Sequence, residues 1–430
     1  MRIRVLVLIS FFVILALALD TGFILIWRLL FLSLLAILVS FAWTFLNSRG
    51  MGSQTGRLPK QCQVGDSFAV EFILFNRIKV PKLLLEVQEN SDLPGYNGAS
   101  VFNLPPDGFH CWRTEVYCRR RGRYNLGSLT VTARDPFGLF RRSRNLGESQ
   151  SILIYPATLE LPFFEILPQS DFKYGLSPWL ANQLSANVAS VREYTAGDSL
   201  RHIHWRSTAH TGQLQVKVFD PDRSRNVRES VWIIVDMHQG SHRGDYETEE
   251  YCVTIAASLA KKYIDSGWSV GLIAAGDQFH RFPPEAGSQH LGHILAGLAL
   301  TRATGNVPVD QLISNESGRF AINSALIVIT PQSGERLTAP LRQVKGRGRL
   351  VVAILIEPAK LDEVGTMAST IRTLISSGLQ VHLVRCGDDI ARTLDSRGFY
   401  SRTRYSWRDT LRLLAYQSRI PREGGPKWAI

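Results

Sequence analysis

The chain has 430 residues, with 49 Lys and Arg against 37 Asp and Glu, a formal net charge of +12. Apolar residues make up 45% and charged residues 20%, so bulk disorder, collagen-like repeats and coiled coils are excluded, and the length suits two or three domains. Five cysteines (Cys62, Cys111, Cys118, Cys252 and Cys386) without CxxC spacing exclude a disulfide framework and read as buried thiols in a reducing compartment.

Two apolar runs open the sequence. Val5–Leu19 carries no charge, and Phe23–Leu46 is apolar apart from Arg28, Ser33, Ser40 and Thr44, with only Asp20-Thr21-Gly22 between them. A helix needs about 20 apolar residues to cross the hydrocarbon core. The second run meets that length, and the first can borrow from its flanks. A signal peptide would use Arg2 and Arg4 as its n-region, but no small-x-small cleavage site precedes a polar start. The expectation is an antiparallel transmembrane helical hairpin over 1–47. Arg2 and Arg4 before it and Arg49, Arg57 and Lys60 after it place both ends, and the bulk of the chain, in the cytoplasm. Arg28 would snorkel to the outer interface.

From 48 to 160 the pattern is strand-like. Phe68–Phe75 and Leu83–Val87 are β-rich, and turn signals recur at Leu93-Pro94-Gly95, Pro105-Pro106-Asp107-Gly108, Arg121-Gly122 and Asp135-Pro136-Phe137-Gly138, as in a β-sandwich. From about 226 the period changes. Strands are predicted at Val231–Asp236, Trp268–Ala275 (with a hairpin partner at Gln278–Phe282), Ala325–Thr330, Leu350–Glu357 and Gln380–Cys386. Helices are predicted at Thr248–Ser266, Ser288–Arg302, Asp362–Ser376 and near Trp407–Tyr416. Continuous apolar strands alternating with helices predict a doubly wound α/β domain over 226–430, with its sites at strand C-terminal ends. The fold class is α+β multidomain.

Between the two lies the densest motif, Val191-Arg192-Glu193-Tyr194-Thr195-Ala196-Gly197-Asp198-Ser199-Leu200-Arg201-His202-Ile203-His204-Trp205, followed by Gly212. Gly197 permits a turn, Asp198 suits an N-cap and Gly212 a stop, which predicts a helix between Asp198 and Gly212. Arg192, Glu193, Asp198 and Arg201 read as an ion-pair and capping network over a segment, 161–225, packed between the domains. The alternative is an enzyme of hydrolase type with its site around Glu193, Asp198 and His204.

This motif resembles the signature of a bacterial family known as DUF58, R-E-Y-x-x-G-D-x-x-R-x-I-x-W, on Arg192, Glu193, Tyr194, Gly197, Asp198, Arg201, Ile203 and Trp205. Arg120-Arg121-Gly122-Arg123-Tyr124, Asp135–Phe140 and Tyr155-Pro156 look like the family's upstream segment. The resemblance implies a membrane-anchored protein with a C-terminal von Willebrand factor A-like domain, in families whose genes often neighbour MoxR-type AAA+ ATPases. It supplies no known reaction.

Such a domain can hold Mg²⁺ through D-x-S-x-S after its first strand, with hard oxygen ligands from later loops. Here Asp236 is kept, His238 and Gly240 replace the serines, and Thr330 is followed by Pro331 and Gln332 rather than an acid. The expectation is a degenerate site with no metal and no cofactor. A rescue by zinc or nickel would draw on Asp236, His238, His242 and Asp245. His202, His204 and His210 cannot converge on one ion from a single helix, and His290 and His293 lack a third partner. No P-loop, HExxH or GxGxxG-to-helix motif is present, and Gly346-Arg347-Gly348-Arg349 reads as a basic turn entering a strand.

Basic clusters at Arg119–Arg123, Arg141–Arg144 and Arg201–Arg206 could serve nucleic acid, a second alternative. A domain tethered to an anionic leaflet accounts for the same excess, so the lipid bilayer is the expected partner and nucleic acid is not. Together these expectations describe a membrane-anchored, non-enzymatic adaptor or scaffold for a cytoplasmic protein partner, of which a MoxR-type ATPase is one candidate.

Overall fold

A computed structural model describes residues 2–59, 61–96, 98–166, 188–195, 203–219, 230–242, 246–321, 324–357 and 364–396. The chain divides into two compact units, Met1–Tyr155 and Pro156–Ile430.

The first unit begins with α1 (Arg2–Thr21) and α2 (Ile24–Asn47), joined through Gly22 at φ 59°. Among the described residues α2 is the one helix of 24 residues long and apolar enough to cross a membrane by length and composition, and the apolar stretch of α1 is the shorter Ile9–Asp20. Ten strands follow: β1 (Met51–Thr55), β2 (Cys62–Gln63), β3 (Ser67–Asn76), β4 (Lys82–Asn90), β5 (Ala99–Leu104), β6 (Phe109–Tyr117), β7 (Gly122–Leu126), β8 (Ser128–Arg134), β9 (Arg141–Leu146) and β10 (Gln150–Tyr155). They form sheets in the orders β1-β3-β6, β2-β10-β7 and β5-β4-β8-β9. Alternation along β3 sends Val70, Phe72 and Leu74 into the core, where Leu85, Val87, Leu129 and Val131 from β4 and β8 are also buried. Trp112 of β6 links two of the sheets: its Nε1 donates to Glu89 Oε1 of β4 at 2.8 Å, and its ring lies 4.7 Å from Phe102 of β5.

The last turns of α2 are held to these strands by polar groups. Ser40 donates its hydroxyl to Asp135, Asn47 Nδ2 donates to the Leu83 carbonyl at 2.9 Å, and the fully buried Lys82 donates Nζ to the Leu46 carbonyl. A cation there meets the negative end of the helix dipole. Asp135 in turn organises the turn after β8, accepting from the amides of Phe137 (3.1 Å), Leu139 (3.2 Å) and Phe140 (2.6 Å). Burial disfavours its charge, but Ser40 and these amides outweigh that and hold the carboxyl below its ordinary range.

The second unit opens with a two-stranded antiparallel pair, β11 (Val188–Glu193) and β12 (Gln215–Phe219), and is built on a six-stranded sheet. β13 (Ser230–Val235), β14 (Ser269–Ala275), β15 (Phe279–Glu285), β16 (Ala325–Thr330), β17 (Leu350–Glu357) and β18 (Gln380–Arg385) lie in the order β15-β14-β13-β16-β17-β18, all parallel except β15. Every residue of β16 is buried, as a strand covered on both faces requires. One face packs Trp232, Ile234, Leu326 and Val328 on further helices, whereas Cys252, Ile255, Ala256 and Leu259 of the long helix Tyr246–Asp265 are fully buried. Strand β15 closes one edge. Its pairing with β14 shifts register between Val270 and Leu272, opposite Pro283 and Pro284, which lack the N–H a regular ladder needs.

Most predicted elements of this unit have their counterparts within two residues, including helices Ser288–Leu300 and Val364–Ser376. Helices Val309–Glu316 and Glu335–Gly346 are additions that the sequence pattern does not predict. The latter is the crossover that two neighbouring parallel strands, β16 and β17, must have. The helix predicted near Trp407–Tyr416 lies outside the described residues.

Candidate functional site

The strand order reverses between β13 and β16, and in open α/β sheets that switch point leaves a crevice outside the strands' carboxyl ends. Asp236 follows β13 there and is 1% exposed. Its backbone N–H continues the ladder to the Ile329 carbonyl at 2.9 Å, which turns the carboxylate toward β16. Oδ2 accepts from Thr330 Oγ1 at 2.6 Å and Oδ1 from the His238 amide at 3.0 Å. Thr330 Oγ1 also accepts from the Gln332 amide at 2.9 Å. Both oxygens of the carboxylate are thus engaged by the protein.

The two residues that replace the expected serines are sterically coupled. A Cβ at Gly240 would lie 2.6 Å from Cε1 of the His238 imidazole, so the ring lies across the space a side chain at 240 would need. His238 Nδ1 lies 3.3 Å from Ser241 Oγ. His242 is 2% exposed, with Nε2 at 2.7 Å from the Asp236 carbonyl oxygen and Nδ1 at 3.0 Å from Thr248 Oγ1. A carbonyl only accepts, so Nε2 carries a proton, and the one remaining ring lone pair, on Nδ1, faces the threonine hydroxyl rather than a free site. Asp245, the fourth ligand of the zinc or nickel alternative, lies outside the described residues. Among those described, no three His, Cys, Asp or Glu side chains are grouped to hold a metal.

A second loop borders the crevice. Gly305 donates to the Met237 carbonyl and accepts from the Gln239 amide, both at 2.9 Å, and a Cβ at Gly305 would fall 1.9 Å from the Ala275 carbonyl oxygen. Only glycine lets this loop close on the strand ends. Glu249 Oε2 accepts the Ala303 amide at 3.1 Å and Oε1 lies 3.5 Å from Arg302. Gln332 leaves its Oε1 without a hydrogen-bond partner. Sequence reasoning singled out Asp236, His238 and Gly240 but not Gly305 or Glu249, whose roles depend on loop closure rather than on spacing.

The signature segment is described at 188–195 and 203–219; Gly197, Asp198, Arg201 and His202 lie outside the described residues. Arg192 and Glu193 are exposed on β11, which pairs antiparallel with β12. Arg192 Nη1 donates to the Glu193 carbonyl and to Thr195 Oγ1, both at 3.0 Å, and the Tyr194 amide to the Leu214 carbonyl at 2.9 Å. The helix expected from Asp198 is corrected: it runs only from Trp205 to Thr211, because Ile203 is drawn into a β-bridge with Val216. His204 is its N-cap, Nδ1 accepting the Ser207 amide at 3.2 Å, and Gly212 ends it at φ 73°. Trp205 is 68% exposed, so its ring faces solvent at the start of that helix. His290 is buried with Nε2 2.7 Å from the Val270 carbonyl, and His293 is exposed. Of the basic cluster Arg119–Arg123, Arg121 is wholly buried, so this cluster is not a continuous cationic surface.

Residues 190–370 match the family described as "Protein of unknown function DUF58". The chain is 25% identical over 337 residues to the uncharacterized protein YeaD of Bacillus subtilis (strain 168), covering 76% of this chain and 81% of YeaD. It is 27% identical over 186 residues to the uncharacterized protein Rv1480 of Mycobacterium tuberculosis, covering 40% of this chain and 56% of that protein. Among solved structures, proximal thread matrix protein 1 from the mussel byssus aligns with a TM-score of 0.29 at 10% identity, over 41% of this chain and 47% of that one. That likeness is too low to carry the fold. The resemblance carried by Arg192, Glu193, Tyr194 and Trp205 therefore extends well past the motif, to a match with the DUF58 family over residues 190–370.

Proposed function

We propose that this protein is a membrane-anchored, non-enzymatic adaptor. In this reading residues 1–47 form a two-span helical hairpin, 48–160 a β-sandwich, 161–225 the signature segment and 226–430 a von Willebrand factor A-like domain, with all but the hairpin cytoplasmic. The strand order of the second unit and the Trp112–Glu89 link between sheets of the first support the two domain assignments. The observation that carries the adaptor reading is the closed crevice. Asp236 spends both carboxylate oxygens on Thr330 and the His238 amide, and the imidazole of His238 lies over Gly240. Mg²⁺ sheds its water reluctantly, and one engaged carboxylate offers it little in exchange. The rim then serves as a protein-binding surface, on which Gln239 is exposed. A MoxR-type AAA+ ATPase is the partner we propose.

Thermal unfolding of the detergent-solubilised full chain tests the metal half of this reading, because only a ligand that binds the native state raises its melting temperature. Millimolar Mg²⁺ and micromolar Zn²⁺ should each leave the melt unchanged. A rise that disappears in Asp236→Ala or His238→Ala would overturn it. For the partner half, Gln239→Arg should reduce the ATPase recovered with the full chain from solubilised membranes without changing the melt. Equal recovery by this variant and the native chain would remove the crevice rim as the docking site.

A further inference from the structure

The turn Asp135-Pro136-Phe137-Gly138-Leu139-Phe140 places its apolar side chains beside the N-terminal helices rather than in the β core. Phe137 is 61% exposed. It shares with Leu139 a groove of about 270 Å³ whose other walls include Val7 and Phe11 of α1 and Ala36 and Ile37 of α2. The hydrocarbon core spans about 20 helical residues, so a span counted from Ile24 reaches about Trp43. At a rise of about 1.5 Å per residue, Ala36 and Ile37 lie roughly 10 Å inside that limit. A side chain packed beside them is at lipid depth.

The turn is also rigid and correctly flanked. Asp135 accepts three amides of its own turn and the hydroxyl of Ser40 on α2, so the turn is locked to the helix and not a loose loop. Phe140 sets its ring edge-on to Phe41 of α2, 5.6 Å between centroids. Immediately after it, Arg141 and Arg142 are exposed on β9; the Arg142 guanidinium lies 5.5 Å from the Phe45 ring, and that of Arg49 lies 4.0 Å from the same ring. The cations therefore gather around the last turns of α2, at the depth where a span ending near Trp43 meets the headgroups. Apolar tip and basic collar follow one another in the order a leaflet presents acyl chains and phosphates.

We propose that this turn is a lipid-inserting wedge: Phe137 and Leu139 enter the acyl layer beside α2, and Arg141 and Arg142 take the phosphates of anionic lipids. The wedge rests on the membrane-anchor reading above and adds to it a second contact, made by the β-rich unit, that fixes the unit's orientation on the bilayer.

The full chain carrying an environment-sensitive NBD dye on a single introduced cysteine tests this, in vesicles of phosphatidylcholine with and without phosphatidylglycerol, doped with doxyl-labelled lipid as quencher. Cys111→Ser removes the exposed native thiol, and Phe137→Cys, Val39→Cys and Glu115→Cys report the wedge, the anchor and the far end of β6. The wedge predicts quenching at 137 comparable to that at 39, and none at 115. It also predicts stronger quenching at 137 with phosphatidylglycerol, a gain that Arg141→Gln with Arg142→Gln abolishes. Quenching at 39 without quenching at 137 overturns the wedge and leaves the anchor standing. No quenching at either site overturns both. Quenching at 137 that ignores phosphatidylglycerol overturns the anionic collar.

Discussion

Asp236 illustrates how little of a residue's chemistry its identity determines. An aspartate at the carboxyl end of the first strand of a doubly wound sheet is well placed for a ligand. Here it is instead a buried acceptor that joins β13 to β16 through Thr330. Asp236→Ala should leave that hydroxyl and the His238 amide short of an acceptor and cost about 1–3 kcal/mol for each unsatisfied group, measured by denaturant unfolding. Asp236→Asn keeps an acceptor and should cost less; equal losses would mean that the charge and not the hydrogen bonds matters. The cysteines offer a second residue-scale test. Cys111 is exposed, whereas Cys62 and Cys118 are buried beside one another, and burial pushes the Cys118 thiol up to about 12. Alkylation at neutral pH should modify Cys111 first and reach Cys118 only after denaturation, as read by peptide mass.

Elements with one dominant signal were legible in the sequence. The run Val231-Trp232-Ile233-Ile234-Val235 could only be a strand covered on both faces, and it is. Glu335–Gly346 escapes sequence reading because Pro340 interrupts it and its apolar stripe is narrow, yet buried Leu337, Leu341 and Val344 hold it on the sheet. The helix of the signature is predicted too long because Asp198 and Gly212 bracket it plausibly, while the pull of Ile203 toward Val216 is a tertiary contact that spacing does not reveal. The coupling of His238 to Gly240 is likewise visible only in three dimensions. At this scale the Asp135 turn makes a prediction about acid. Its carboxyl is held below the ordinary value, so the stabilisation is complete above the unfolded value of about 3.9 and is lost as pH falls through the lower folded one. Melting temperature should therefore fall more steeply below about pH 4 in the native chain than in Asp135→Asn. Parallel curves would show that the turn does not depend on the charge.

At the scale of the whole molecule the decisive question is which side of a membrane the two units occupy. The basic residues flanking the first 47 residues predict that a reporter fused after Ile430 is active in the cytoplasm and silent outside it. Activity on the outer side would remove the adaptor reading and its ATPase partner together. The three sheets of the first unit and the six-stranded sheet of the second place no covalent or metal cross-link among the described residues, so each unit relies on packing and backbone pairing.

The prolines of β15 matter beyond the register they disturb. An exposed sheet edge is a template on which a second chain, native or half-folded, can add a strand and start a growing aggregate. Pro283 and Pro284 interrupt that template, and the bulge beside them bends what remains. This unit is thereby guarded against polymerising through its own edge. The double substitution Pro283→Val with Pro284→Val would remove that guard, and the expected result is a folded protein whose aggregates grow with concentration and bind amyloid dyes.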